Sequence, residues 1–386
     1  MKPLHAANRR KICIFMLFIT LFSLFSFPVS AAQFTSESDA RSLILIEAET
    51  GTVLYEKDAD LPLPPASVTK VMTMLLVMEA IDGGVISLSD KVTVSENAAK
   101  MGGSQVFLEA GEQFSVDEML KCVVVSSAND AAVALAEHIS GSEEGFVNEM
   151  NRRAAELGMT HTNFENTNGL DDTTQNHVTS ARDIAVMSAE LISKHPKILE
   201  YSSIWMDSIR GGEFTLTNTN RLIRFYNGAN GLKTGSTAKA GFCISASAKR
   251  NGMQLICVVM AASTRDSRNE IAKKMLDFGF ANYAYEAYPS QPLSDMPVLG
   301  GKQSAVPIYY ESCDFVTEKI NSGKTKIDIL LPDNVSAPIK AGDTVGSITY
   351  TLGDGTVKEV SVLAAENVER VDFITQLLRL FSDFLY

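Results

Sequence analysis

The chain has 386 residues, of which 45% are hydrophobic and 21% are charged, and its formal net charge is −12. This length and composition are typical of a globular protein with room for two or more domains. The acidic balance argues against nucleic acid as a partner, because a phosphate backbone requires a basic surface. An anionic substrate would therefore need a local cationic pocket.

The N-terminal segment is typical of an export signal. Four basic residues within the first eleven positions precede an apolar stretch over residues 12–27, and Val29-Ser30-Ala31 offers small residues for signal peptidase. We therefore expect residues 1–31 to form a signal peptide that is cleaved before Ala32. The alternative is an uncleaved anchor, but the apolar stretch is short for a membrane span.

The cysteines and histidines predict neither a disulfide framework nor a metal site. A chain of this length can build a core without disulfides, so we expect the cysteines after the signal peptide to be free and buried. Neither their spacing nor that of the histidines fits a zinc pattern, so we predict no metal and no cofactor. These cysteines are Cys122, Cys243, Cys257 and Cys313.

The first predicted elements are strands over residues 41–47 and 53–56, followed by a helix that begins at Ser67. This helix places Ser67 and Lys70 one turn apart on the same face. Ser67 then lies at the positive end of the helix dipole. A hydroxyl beside an amine in apolar surroundings is a candidate nucleophile and base, although the tetrapeptide alone fits an ordinary helix equally well.

The middle of the chain is predicted to be mainly helical. Ser115 and Glu118 have the spacing of a capping box. Polar residues 126–130 interrupt the apolar pattern, and capping of the next helix would be a purely structural explanation of Ser127 and Asn129. The predicted helices cover residues 115–125, 131–139, 146–157 and 180–193.

Two strong strands follow, over residues 241–248 and 253–262, and Asn251-Gly252 between them favours a hairpin. Residues 214–216 and 227–230 are predicted to be irregular, and a helix is expected over residues 269–280. Strands at both ends with helices between them indicate an α+β domain, in which an antiparallel sheet packs on a helical cluster.

Residues 283–297 carry three prolines and little periodicity, so we place a domain boundary there. After it, residues 298–365 are predicted to form a small all-β domain, with strands at 304–310, 326–331, 345–352 and 358–364. Residues 366–386 are expected to contain an amphipathic helix, over 368–386, that lies on a membrane surface.

Three short fragments occur in the order Ser67-Val68-Thr69-Lys70, Ser127-Ala128-Asn129 and Lys233-Thr234-Gly235. They resemble S-x-x-K, S-D-N and K-T-G, the signature shared by penicillin-binding proteins and class A β-lactamases. With them, almost the whole chain resembles a D-alanyl-D-alanine carboxypeptidase, a serine-type penicillin-binding protein of low molecular mass. Asn168-Gly169-Leu170-Asp171 is also similar to that family. Ala128 stands where β-lactamases usually have Asp.

The resemblance implies a catalytic domain over residues 32–285 and a role for each motif residue. Ser67 would attack the carbonyl between two terminal D-alanines, Lys70 would accept its proton, and Ser127 would relay a proton to the leaving D-alanine. Lys70 must then be neutral, which burial and the like charge of Lys233 would favour. The residues expected to bind substrate are Asn129, Lys233, Thr234, Gly235, Ser236 and Arg268.

Within that set, the N–H groups of Ser67 and Ser236 would form an oxyanion hole, and Thr234 and Arg268 would bind the terminal carboxylate. The implied partners are peptidoglycan stem peptides ending in D-Ala-D-Ala, β-lactam antibiotics and a membrane surface. The implied location is the outer face of the cytoplasmic membrane or the cell wall.

Three other readings share these residues. A β-lactamase would need a further Glu in an E-x-x-L-N pattern, and the nearest string here, over residues 144–148, has Val147 in place of Leu. A non-catalytic wall-binding or sensor protein would have kept the motifs without the activity. An endopeptidase acting on crosslinks would use the same groups as the carboxypeptidase.

Overall fold

A computed structural model describes residues 39–375 and residue 377. The predicted signal peptide, residues 1–31, lies outside the described residues. Among the residues that are described, none of the helices combines the length and the apolar character needed to cross a membrane.

The N-terminal part contains nine strands and nine helices within the described residues. The strands are β1 (Ser42–Glu47), β2 (Val53–Lys57), β3 (Lys91–Thr93), β4 (Gln113–Ser115), β5 (Met206–Ile209), β6 (Phe214–Thr217), β7 (Ala229–Thr237), β8 (Gly241–Arg250) and β9 (Met253–Ala262). The helices are α1 (Lys70–Asp82), α2 (Glu96–Ala99), α3 (Val116–Val125), α4 (Asn129–Ser140), α5 (Glu143–Glu156), α6 (Ala181–Lys194), α7 (Ile198–Ser202), α8 (Leu222–Phe225) and α9 (Arg265–Asn282).

The central sheet has the strand order β2-β1-β9-β8-β7, and all its pairs are antiparallel. Strand β1, from the start of this part, pairs with β9, from its end, so that Leu43 lies opposite Val259. Helices α6 and α9 both contact β9, and this strand is buried along nearly its whole length. A sheet covered by helices with antiparallel pairing confirms the α+β prediction.

Helix α1 is the centre of the helical cluster, because ten of its thirteen side chains are buried and most of these are apolar. It contacts α3, α4, α5 and α6. Its first turn is tighter than an α-helix: Ala66–Thr69 forms a 3₁₀ turn, and the α-helical hydrogen bonds begin at Lys70. The predicted helix is confirmed, with Ser67 inside the leading 3₁₀ turn.

Several predicted boundaries of the N-terminal part change in the structure. Residues 214–216, predicted to be irregular, belong to the β5–β6 hairpin, and strand β7 already begins at Ala229. Helix α9 begins at Arg265 rather than at residue 269, because the Thr264 hydroxyl accepts the N–H of Ser267 as an N-cap. The capping box of Ser115 and Glu118 is confirmed.

The C-terminal part is all β. Its strands are β10 (Tyr283–Glu286), β11 (Gln291–Pro292), β12 (Met296–Leu299), β13 (Ala305–Val306), β14 (Ile308–Tyr310), β15 (Phe315–Glu318), β16 (Lys326–Leu330), β17 (Val335–Ser336), β18 (Thr344–Thr351) and β19 (Val357–Ala364). The largest sheet has the order β11-β14-β19-β18-β16. Its core includes Tyr288, Phe315 and Tyr350, whose rings contact one another. The predicted all-β character is confirmed.

One prediction at the edge of this part needs correction. Residues 283–297, where the domain boundary is placed, contain strands β10 and β11, and β10 pairs with β15. The helix expected from residue 368 does not start there, because Val368 bridges to Ile339 and Arg370 bridges to Gly301. Most of that predicted helix, residues 376 and 378–386, lies outside the described residues, and the domain boundaries as such stay a prediction.

Candidate active site

The predicted nucleophile lies on a tight turn that strand β7 touches directly. Ala66, just before Ser67, has a φ of +49°, in the left-handed region that non-glycine residues rarely adopt. A Cβ at Gly235 would lie 2.7 Å from the backbone nitrogen of Ser67 and 2.9 Å from the carbonyl oxygen of Pro65. Glycine is therefore required at position 235, because β7 could not otherwise approach the turn.

Lys70 is fully buried directly behind Ser67. Its Nζ lies 3.0 Å from the Ser67 Oγ, 2.5 Å from the Asn129 Oδ1 and 2.7 Å from the carbonyl oxygen of Asn168. None of these three partners carries a negative charge. The pKa of Lys70 is held well below its ordinary value, first by burial and then by the positive charge of Lys233, while Asp130 acts in the opposite direction.

Lys233 is the second buried lysine, on strand β7, and is 1% exposed. Its Nζ donates to the carbonyl oxygen of Thr234 at 2.9 Å. Burial, followed by the nearby charge of Arg268, lowers the pKa of Lys233 to about 7. The expectation that Lys233 supplies the like charge next to Lys70 thus agrees with the cause of the shift at Lys70.

The middle motif forms the entry to helix α4. Ser127 has a φ of +63°, is 3% exposed and lines the cavity in front of Ser67. Asn129 is buried: its Oδ1 accepts from Lys70, and its Nδ2 donates to the carbonyl oxygen of Gly102 at 2.7 Å. Asp130 accepts the N–H groups of Val106 and Leu108. These bonds fasten the loop at the cavity rim to α4.

The cavity has a volume of about 650 Å³. Of the predicted site residues, it is lined by Ser67, Ser127, Thr234, Gly235, Ser236 and Arg268. Lys70, Asn129 and Lys233 lie behind its wall, each at most 1% exposed. The structure thus brings all the predicted residues to one place, in a front layer that faces solvent and a buried layer that supports it.

Arg268 is a buried guanidinium at the cavity wall, 3% exposed. Its donors reach the Asn269 Oδ1 at 2.9 Å and the carbonyl oxygen of Cys243 at 3.3 Å. Among the described residues, no carboxylate forms a salt bridge with it. Burial, and then the charges of Arg265 and Arg221, lower its pKa to about 10. A buried cation without a carboxylate partner beside a cavity is suited to bind an anion.

Sequence reasoning missed several contributors to this site. The backbone carbonyl oxygen of Asn168 accepts a hydrogen bond from Lys70. A backbone contact of this kind cannot be predicted from a pattern of side chains. Its only signal was the Asn168-Gly169 turn: Gly169 has a φ of +85°, and a Cβ there would lie 1.9 Å from the Ala66 carbonyl oxygen. Further cavity residues were also missed, among them Trp205, Arg221, Phe225 and Arg265.

The cysteine prediction is confirmed, because Cys122, Cys243, Cys257 and Cys313 are all free and buried. Within residues 39–375, no group of three or more histidine, cysteine or acidic side chains is arranged to hold a metal ion. A serine at a cavity wall, within hydrogen-bond distance of a buried lysine, is an arrangement suited to a serine-type acyl-transfer enzyme.

Comparison with known proteins places the chain more narrowly. The family model described as D-alanyl-D-alanine carboxypeptidase matches residues 28–264, and the model of the penicillin-binding protein 5 C-terminal domain matches residues 289–370. The chain is 43% identical to D-alanyl-D-alanine carboxypeptidase DacF of Bacillus subtilis (strain 168), over 95% of this chain and 96% of that protein. It is 34% identical to DacC of Escherichia coli (strain K12), over 92% and 91%.

Among solved structures, penicillin binding protein 5 of Haemophilus influenzae is 32% identical and has a TM-score of 0.76, covering 87% of this chain and 99% of that one. The chain therefore belongs to the D-alanyl-D-alanine carboxypeptidase family, and its fold is that of the penicillin-binding proteins. The resemblance stated from the motifs is confirmed.

Proposed function

We propose that this enzyme removes the terminal D-alanine from peptidoglycan stem peptides, with Ser67 as the nucleophile and Lys70 as its base. The observation that carries the proposal is the contact of 3.0 Å between the Lys70 Nζ and the Ser67 Oγ, at a lysine whose pKa is held low. The Ser67 Oγ forms a bond to the penultimate carbonyl carbon, the peptide C–N bond breaks, and D-alanine leaves. Water then hydrolyses the acyl-enzyme.

The surroundings of Lys70 suit a neutral amine. A neutral amine has two N–H donors and one lone pair. The Asn129 Oδ1 and the Asn168 carbonyl oxygen can accept the two donors, so that the lone pair faces Ser67 and its hydroxyl can donate to it. Burial, together with the positive charge of Lys233, holds the pKa of Lys70 well below its ordinary value and so favours this neutral form.

Stabilisation of the oxyanion is assigned to the N–H groups of Ser67 and Ser236. The close contact of Gly235 with the Ser67 turn supports this assignment, because it brings β7 and the turn together. Fixed N–H donors beside the reacting carbonyl stabilise the charge that develops on its oxygen.

Ser127, at the cavity wall, is assigned the proton transfer to the leaving nitrogen, with Lys233 behind the wall. Asn129 holds Lys70 in the free enzyme. To bind the substrate amide as well, its Nδ2 would have to exchange the Gly102 carbonyl oxygen for the substrate. The role of Asn129 in substrate binding thus requires a rearrangement at the rim.

Arg268 and Thr234 are assigned to the terminal carboxylate. Arg268 lies at the wall without an acidic partner, and the Thr234 hydroxyl lines the same cavity, where it donates to the Thr219 hydroxyl at 2.8 Å. A guanidinium can bind a carboxylate through two parallel hydrogen bonds. This pair would align the C-terminal D-alanine with Ser67.

Penicillin is expected to acylate Ser67 and to stay attached. The described lining of the cavity contains no carboxylate that could activate water for rapid deacylation. Glu144, in the string nearest to the β-lactamase pattern, lines a separate cavity with Glu165. A long-lived adduct therefore distinguishes this enzyme from a β-lactamase, which would turn penicillin over.

We further propose that residues 1–31 direct export and that the C-terminal segment holds the enzyme at the outer face of the membrane. A truncation that tests this should end at Val371 rather than at residue 367, so that the bridges of Val368 and Arg370 stay intact. Loss of the truncated protein from the membrane fraction, with penicillin labelling retained, is the expected result.

The test of the activity is release of D-alanine from a pentapeptide by the wild type and by Ser67→Ala. We expect the variant to lose release and penicillin labelling by roughly 10⁴-fold or more, because it lacks the nucleophile. Ser104→Ala is the matched control, since Ser104 lines the same cavity without an assigned role. Absence of release by the wild type would instead support the non-catalytic reading.

A further inference from the structure

The cavity in front of Ser67 continues beyond Arg268. Its further lining includes Trp205, Arg221, Phe225 and Arg265, which together are called the cationic extension here. None of these residues has a role in the proposed release of D-alanine. A volume of about 650 Å³ leaves room for far more than one alanine.

The charges of the extension are of one sign. Arg221, Arg265 and Arg268 line the cavity, and its described lining contains neither Asp nor Glu. Asp266 and Glu270 line an adjoining cavity of about 210 Å³, which Arg221 and Phe225 also line. In a chain with a net charge of −12, three arginines around one cavity form a local anion site.

The arginines of the extension are available to a ligand. Among the described residues, neither Arg221 nor Arg265 forms a salt bridge, and both side chains are exposed. Both charges contribute to the lowered pKa of Arg268, so the three guanidinium groups are close together. The charge of Asp266 acts on the pKa of Arg268 in the opposite direction. The three guanidinium groups nevertheless leave an excess of positive charge at this wall, which favours an anionic ligand.

The walls of the extension include two aromatic rings, which contact each other and a neighbouring arginine. The rings of Trp205 and Phe225 meet edge to face, with centroids 6.1 Å apart, and the Arg224 guanidinium carbon lies 5.5 Å from the Trp205 centroid. Phe225 is nevertheless 65% exposed. An apolar wall that stays open to solvent beside two cations suits an amphipathic side chain with an acidic end.

The position of the extension identifies the part of the substrate that would reach it. In the proposed mechanism, Arg268 and Thr234 hold the carboxylate of the leaving residue. The Thr234 hydroxyl bonds to the Thr219 hydroxyl, which connects that carboxylate site to the chain segment leading to Arg221. A side chain on the leaving residue, longer than the methyl group of alanine, would therefore extend towards Arg221 and Arg265.

We propose that the cationic extension is a leaving-group subsite for a D-amino acid whose side chain carries a second carboxylate. The inference rests on the proposed function and extends its substrate class from D-alanyl-D-alanine to D-alanyl bonds with acidic D-residues. The chemistry is unchanged: the same C–N bond breaks, and the leaving nitrogen receives the proton.

The experiment compares three N-acylated peptides that end in D-Ala-D-Ala, D-Ala-D-Glu and D-Ala-D-Gln. We expect kcat/KM of the wild type for the D-Glu peptide to exceed that for D-Gln by about tenfold, because a charge-assisted contact is lost in the amide. In Arg265→Gln, this ratio should fall to about two or less, while D-Ala-D-Ala hydrolysis stays within about twofold. Arg265→Lys should restore part of the preference.

Two results would overturn the subsite: equal or lower wild-type kcat/KM for D-Glu relative to D-Gln, or a ratio that Arg265→Gln leaves unchanged. The D-Ala-D-Ala peptide separates this outcome from failure of the proposed function. If the subsite alone is wrong, that peptide is still hydrolysed in a Ser67-dependent manner. If the proposed function is wrong, none of the three peptides is cleaved at Ser67.

Discussion

The two parts of this chain differ most in what they bury. Between residue 39 and residue 282, the N-terminal part buries six charged side chains: Glu47, Lys70, Asp130, Asp183, Lys233 and Arg268. Within residues 283–371, the C-terminal part buries no charged side chain, and its one buried polar residue is Thr317. Burial of a charge costs free energy unless it is compensated. The buried charges of the N-terminal part therefore require an explanation, whereas the apolar core of the C-terminal part does not.

The hydrogen-bond partners of the buried charges differ between the candidate site and the rest of the N-terminal part. Asp183 accepts a backbone N–H and a hydroxyl from residues 161 and 162, which ties a loop to helix α6. Lys70 and Arg268, by contrast, have only neutral acceptors and adjoin a cavity. Buried cations whose hydrogen-bond acceptors are all neutral thus adjoin the candidate site, while the buried carboxylates of Asp130 and Asp183 accept N–H groups and tie loops to helices.

The largest change in unfolding free energy that would test this comparison is expected in the C-terminal part. Tyr350 is 1% exposed and its ring contacts Tyr288 and Phe315. Tyr350→Ala should therefore cost about 3–5 kcal/mol in the unfolding free energy of this part, by creating a cavity in its core. Urea unfolding measures the loss. The rate of penicillin acylation of the folded protein should stay within about twofold, and a large fall in that rate would break the comparison.

A smaller effect is expected from a buried histidine of the N-terminal part. His177 accepts the N–H of Glu165 at Nδ1, and its Nε2 lies 2.7 Å from the Thr69 hydroxyl, one turn from the nucleophile. Because Nδ1 accepts, Nε2 carries the proton and the ring is neutral. Burial lowers the pKa of His177 from 6.5 to about 4. Protonation at Nδ1 would therefore break the hydrogen bond from the Glu165 N–H, while Nε2 can still donate to the Thr69 hydroxyl.

The sign of the pH effect follows from that shift. Above pH 6.5 the His177 ring is neutral in both the folded protein and the unfolded chain. Between pH 6.5 and about 4, the ring is protonated in the unfolded chain but stays neutral in the folded protein. Stability is thus lost as the pH falls through this window, by about 3 kcal/mol. In His177→Gln, the difference in unfolding free energy between pH 7 and pH 4 should shrink by that amount. An unchanged difference would contradict the account.

Much of the site could be predicted from the sequence because its residues come in short motifs. Ser67 and Lys70 are one helical turn apart, and Lys233, Thr234 and Gly235 are consecutive on a strand. Local periodicity and chemistry therefore suffice to place them. The helix entry at residue 67, the capping box at Ser115 and the free cysteines were predicted for similar local reasons.

What could not be predicted depends on contacts that are distant in the sequence. Arg221 and Arg265 come together only through the packing of helix α9 and the segment before β7, and neither lies in a recognisable motif. The Asn168 carbonyl acts through its backbone. In the C-terminal part, residues 283–286 lack a strand pattern of their own and become β10 because β15 supplies the partner. Tertiary pairing, rather than propensity, decides such segments.

The most direct test of the account is the pH dependence of acylation of the wild type by a fluorescent penicillin. Lys70 accepts the Ser67 proton only when it is neutral, so the rate constant should rise with pH through the pKa of the Lys70–Lys233 pair. Because burial and mutual repulsion lower that pKa, the account predicts a plateau reached well below the ordinary lysine value of about 10.4. A rate constant that keeps rising about tenfold per pH unit up to that value would contradict it.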